Sequence, residues 1–136
     1  MLKPAFISLS AVCGLLLAAC ETAGPAPVSE ADIAEAITDY ERTGETQSCL
    51  SVVRIDEIDP VTERIWLVEL KGGEVYLNTV SSGCSGADSA FTYLLYDIPG
   101  SLLCRGEIIR VMEQTSDLPR GSCALGEYER LAPAGE

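Results

Sequence analysis

Apolar residues along this chain form first an unbroken run, then a helical spacing, then an alternation. Residues 5–19 are apolar except for Ser8 and Ser10. In "SEADIAEAITDYERTG" (residues 29–44), Ile33, Ala36, Ile37 and Tyr40 fall on one helical face. Ser29 suits the N-cap, Asp32 the reciprocal capping position, and Glu30 a first turn where the helix dipole favours negative charge. Arg42 lies in the last turn and Gly44 supplies a stop. The pattern predicts a helix over residues 30–44.

From Cys49 onward the period is two. In "RIWLVELKGGEVYLNTV", Gly72-Gly73 signals a two-residue hairpin, because glycine tolerates the positive φ of a type I′ turn. That register opposes Lys71 to Glu74, Leu70 to Val75, Val68 to Leu77 and Trp66 to Thr79. One face then carries Trp66, Val68, Leu70, Val75 and Leu77. Further strands are expected at 50–58, 91–96, 102–112 (interrupted near Gly106) and 124–131. "DIPGS" forms a turn at 97–101, and "QTSDLPRGS" a polar loop. The expected class is mainly β: a small antiparallel sheet or partly closed β-barrel with one leading N-terminal helix.

Charge narrows the partners. The 136 residues, one domain's worth of chain, hold 21 acidic and 9 basic groups and no histidine, for a net charge of −12. Such a surface repels phosphate backbones, so no nucleic-acid partner is expected, and it suits a basic one.

The first residues have the order of a secretory signal: Lys3, the apolar run, then small side chains at the exit. As a helix, 15 apolar residues reach about 22 Å, short of the ~30 Å hydrocarbon core. Leu17-Ala18-Ala19-Cys20 resembles a bacterial lipobox, in which the cysteine takes a thioether-linked diacylglycerol and becomes the first mature residue. The polar "ETAGPAPVSE" that follows reads as a tether. The expected organisation is a signal peptide over 1–19, a lipidated tether over 20–29, the helix over 30–44 and a disulfide-linked β domain over 45–136. Cys20 would hold the chain to a membrane through its lipid, since two or more acyl chains anchor stably. By resemblance to sorted lipoproteins of Gram-negative bacteria, Glu21 in place of Asp favours the outer membrane over the inner. The domain would then face the periplasm.

With Cys13 in the leader and Cys20 lipidated, Cys49, Cys84, Cys104 and Cys123 remain. An even number in a small exported domain implies two disulfides. Three pairings are possible. The "DIPGS" turn, if it folds 102–104 back beside 91–96, favours Cys84–Cys104 with Cys49–Cys123. No C-x-x-C occurs, so neither a redox pair nor a zinc ribbon is expected.

"SCLSVVRIDEI", "VYLNTVSSGCSG", "LLCRGEIIRV" and "GSCALGEYERL" resemble a family of small exported bacterial proteins, many of them lipoproteins, classed as a domain of unknown function. The resemblance covers about residues 47–131, with Glu107 where the family pattern favours Asp. It implies a four-cysteine β domain and export, and it lends no catalytic residues.

Without histidine there is no Ser/His/Asp or Cys/His arrangement. Asp56, Glu57, Asp59 and Glu63 are expected in a turn between strands, without the spacing or the central glycine of an EF-hand loop. No glycine-rich phosphate loop opens a helix. Arg105 and Arg110 remain. Alternation puts Arg110 with Ile108 on one face, which fits either a charge-protected edge strand or an anion site. No catalytic residue, metal ligand or cofactor is expected. The leading expectation is a non-enzymatic envelope lipoprotein with a binding or structural role at the periplasmic membrane surface, its partner an envelope protein or glycan. The alternative is an acidic lipoprotein inhibitor of a basic cell-wall hydrolase, by resemblance to small disulfide-bonded β-barrel lipoproteins that block lysozymes. A carboxylate-dependent glycan hydrolase is the third class.

Overall fold

The computed structural model describes residues 24–135. Cys20, the expected leader over 1–19 and the first part of the expected tether lie outside the described residues.

The capping box forms as expected. The Ser29 hydroxyl accepts from the Asp32 N–H, and Asp32 accepts from the Ser29 N–H. Helix α1 (Glu30–Ala36) is nevertheless half the predicted length. After a turn in which the Tyr40 N–H donates to Ile37 (2.8 Å), the chain enters strand β1 (Tyr40–Gln47). The predicted continuation of the helix to residue 44 is thus corrected. β1 exposes nearly every side chain, so no alternation marks it. It exists because it pairs with β10 (Tyr128–Pro133).

The remaining strands are β2 (Cys49–Ser51), β3 (Ile55–Pro60), β4 (Ile65–Leu70), β5 (Val75–Thr79), β6 (Thr92–Tyr96), β7 (Leu102–Cys104), β8 (Ile108–Glu113) and β9 (Pro119–Ala124). A short 3-10 turn (Val52–Arg54) separates β2 from β3. All pairings are antiparallel. They build a five-stranded sheet in the order β1-β10-β5-β4-β3, a two-stranded ribbon β2-β7, and a three-stranded sheet β6-β8-β9. The fold is mainly β, as expected, and its sheets remain open rather than closing into a barrel. β9 occupies part of the segment expected as a polar loop.

The β4–β5 hairpin is present with its register moved by one residue. Trp66 faces Asn78, Leu67 faces Leu77 and Val68 faces Tyr76. The Leu70 N–H donates to Glu74 and the Gly73 N–H to Leu70, so three residues form the loop. Only Gly73 of the two glycines takes positive φ (83°), whereas a type I′ turn needs it at both. A one-residue slip sends side chains to the opposite face. Val75 and Leu77 therefore leave Trp66 and Val68, and they join Ile65 beneath Ile33 and Ile37 of α1. On the other face Trp66, Val68, Tyr76 and Tyr128 pack with Leu103, Ile109 and Val111 of the smaller sheets. The central strands are thus buried on both faces, and the helix, the large sheet and the two small sheets form three layers.

β6 and β7 are not neighbours: β6 pairs with β8, and β7 with β2. This separation decides the disulfides.

Candidate functional site

All four cysteines of the β domain form disulfides, Cys49–Cys104 and Cys84–Cys123. The favoured pairing, Cys84–Cys104 with Cys49–Cys123, is corrected. Cys49 and Cys104 lie directly opposite each other in the β2-β7 ribbon. Cys84, in the loop after β5, reaches Cys123 on β9 where backbone meets backbone: a Cβ on Gly121 would overlap the Gly83 carbonyl oxygen. Cys20, the expected lipidation residue, lies outside the described residues.

The feature most suited to a ligand is a cleft of about 520 Å³ between β3 and β6. Each is the terminal strand of its sheet, so two strand edges face one opening. Ile55, Ile58, Leu94 and Tyr96 form an apolar floor continuous with the main core. Asp56 and Asp59 from β3, with Asp88 from the loop between β5 and β6, bring three exposed carboxylates to the lining, which contains no basic residue. None of the three enters a salt bridge among the described residues.

The carboxylates expected in a turn are therefore redistributed. Asp56, Glu57 and Asp59 ride on edge strand β3, and only Glu63 sits in the turn after it. Glu63 is already engaged, accepting from the Gly86 N–H at 2.7 Å and the Ser85 hydroxyl at 3.3 Å. Among the described residues no three acidic or sulfur side chains converge as a metal site requires.

Of the arginines, Arg105 donates to Glu127 at 2.8 Å on the surface. Arg110 lies on β8, the middle strand of its sheet, opposite Leu95 and Ser122, so the edge-strand reading is corrected. Its outer face is apolar around it, with Ile108 57% and Leu95 36% exposed. The Tyr93 hydroxyl at the groove's rim donates to Asp117 at 2.9 Å, and holding its proton against that carboxylate raises the phenol above its ordinary value.

Sequence reasoning did not single out Asp88, Leu94 and Tyr96. One signal was readable: "TYLLY" carries neither a charge nor a proline, the usual protection of an edge strand. Asp88 is brought to the groove by tertiary folding alone. A second cleft, of about 780 Å³, lies between residues 26–28, α1 and the 61–64 turn. Arg64 donates to the Ala26 carbonyl there, so it is the seam along which the segment before the helix docks.

No protein-family model, curated protein or solved structure matches this chain.

Proposed function

We propose that this chain is an exported bacterial lipoprotein, anchored through Cys20, whose β domain is a non-enzymatic binding module at the periplasmic membrane surface, on the outer rather than the inner membrane. The observation that carries a binding role is the β3–β6 groove, with its apolar floor, acidic rim and open strand edges. Concavity, apolar lining and a few placed polar groups are what ligand sites generally share. The Leu17-Ala18-Ala19-Cys20 pattern supports the anchor, and two disulfides suit an oxidising compartment. The four-cysteine resemblance supports export in the same direction.

The test is capture from intact envelope by the full-length protein beside a Cys20→Ser control, with mass spectrometry of the mature amino terminus. The expected result is an acylated Cys20 and a partner retained by the anchored form. An acyl-free amino terminus would remove the lipoprotein reading, and turnover of an envelope substrate that one carboxylate substitution abolishes would remove the non-enzymatic one. The uncompensated Asp56, Asp59 and Asp88 favour one second reading, an acidic inhibitor of a basic cell-wall hydrolase. Salt-sensitive inhibition of a lysozyme would support that reading, and no binding at low salt would end it.

A further inference from the structure

We infer that the groove takes an extended, basic polypeptide segment, which adds as a strand to the free edge of β6. This rests on the binding reading above and names the chemistry of the partner.

The inference starts from the ladder between β6 and β8. The Gln114 N–H donates to the Phe91 carbonyl at 3.0 Å, and the register continues as Tyr93 opposite Met112 and Leu95 opposite Arg110. In an antiparallel ladder alternate residues exchange hydrogen bonds with the partner strand. Phe91, Tyr93 and Leu95 therefore bond toward β8, while the N–H and C=O of Leu94 and Tyr96 point away from it. Leu94 and Tyr96 both line the groove. A row of free donors and acceptors at a sheet edge is a template for another strand, and recruiting one is a recurring mode of peptide recognition.

The two edges differ in their protection. β3 carries Asp56, Glu57, Asp59 and the terminal Pro60, which has no N–H to offer. β6, "TYLLY", carries no such device. Its shelter is the groove itself, walled on the far side by β3. An incoming strand would alternate its side chains between the inner and outer faces of the small sheet. Inward side chains meet Ile55, Ile58 and Tyr96, which calls for apolar residues. Asp56, Asp59 and Asp88 call for lysine or arginine beside them. A second copy of this chain, itself at −12, meets like charge at that rim.

The experiment uses the full-length protein purified from envelope in a non-ionic detergent. The probe is a fluorescein-labelled ten-residue peptide alternating valine and lysine. Companion peptides carry glutamate for lysine, or N-methyl groups on every second amide in either phase. Binding is read by anisotropy, and amide hydrogen exchange is followed over residues 92–96. The expected result is binding that slows exchange at Leu94 and Tyr96. Affinity falls at least tenfold when methylation is in one phase and stays within threefold in the other. It also falls at least tenfold with the glutamate peptide, and with Asp56→Asn/Asp59→Asn/Asp88→Asn protein of unchanged circular dichroism.

Equal binding of both methylated peptides, or protection outside 92–96, overturns strand addition. Absence of peptide binding does so too. If soluble cell-wall glycan fragments instead protect 92–96, the peptide inference fails while the binding reading stands. If the fragments are cleaved by the protein, the binding reading fails with it.

Discussion

Asn78 and Gly126 exchange two hydrogen bonds of 2.9 Å, the side-chain amide donating to the Gly126 carbonyl and accepting from its N–H. Asn78 is fully buried on the core-facing side of β5, and the clamp gives both its side-chain nitrogen and its oxygen a protein partner. It also fixes the turn that leads into β10. Asn78→Ala leaves two backbone groups unpaired beside the core and is expected to cost about 1–3 kcal/mol. Urea unfolding at neutral pH checks this, and an unchanged midpoint would contradict it.

The Glu129 carboxylate sits lower than its ordinary value near 4.5, first because the Arg42 guanidinium donates to both of its oxygens (2.6–3.1 Å). Arg42 also reaches Glu30 at 2.6 Å, joining the helix to the β1–β10 edge. A carboxylate with a depressed folded value contributes stability above its unfolded value and loses it as pH falls through the folded one. Arg42 is more than a third exposed, so screening keeps the contribution to about 1–2 kcal/mol. Glu129→Gln is expected to be less stable than the natural protein at pH 7. The difference should shrink as pH drops below 5, as followed by urea midpoints across that range.

Tyr128 is wholly buried, and its hydroxyl has no hydrogen-bond partner among the described residues. Burial, then the proximity of Tyr96 and Glu107, pushes its ionisation well above the ordinary phenol value of 10. The neutral form is the folded form. Its stabilising effect is complete below pH 10 and is lost as pH rises through the folded value. Tyr128→Phe removes an unsatisfied hydroxyl and keeps the ring, so it should leave stability at pH 7 unchanged or raise it by about 1 kcal/mol. Between pH 10 and 11.5 it should lose less stability than the natural protein, measured by urea titration at each pH.

Gly121 faces the Gly83 carbonyl oxygen so closely that even one methyl group must move backbone. Gly121→Ala is expected to destabilise by about 1–3 kcal/mol, the usual range for overpacking. It should also slow oxidative formation of Cys84–Cys123, two residues away along β9. Thermal unfolding and trapped-thiol mapping during refolding read the two effects, and normal values for both would show that the loop yields easily.

What the amino-acid pattern revealed was local. The Ser29–Asp32 cap and the existence of the β4–β5 hairpin each depend on neighbouring residues, and the fully disulfide-bonded quartet was legible from an even cysteine count. Misread features depended on local backbone geometry or on distant partners. A Gly-Gly pair serves both two- and three-residue hairpins, and the choice lies in whether Gly72 takes positive φ, which composition does not encode. "YERTGETQ" buries almost nothing, so only the waiting edge of β10 makes it a strand. The cysteine pairing hinged on whether β7 folds back on β6 or crosses to β2, and the "DIPGS" turn permits either. The groove was least legible, because its walls come from separate sheets and its rim from residues 56 to 88.

The bridges Cys49–Cys104 and Cys84–Cys123 interlock, each beginning inside the span of the other or ending within it. A protease that nicks the backbone once, anywhere from residue 50 to 122, leaves both fragments covalently tethered. Both walls of the groove lie inside that interval. Severed loops would therefore not shed either wall, and a single proteolytic event would leave the groove in one piece.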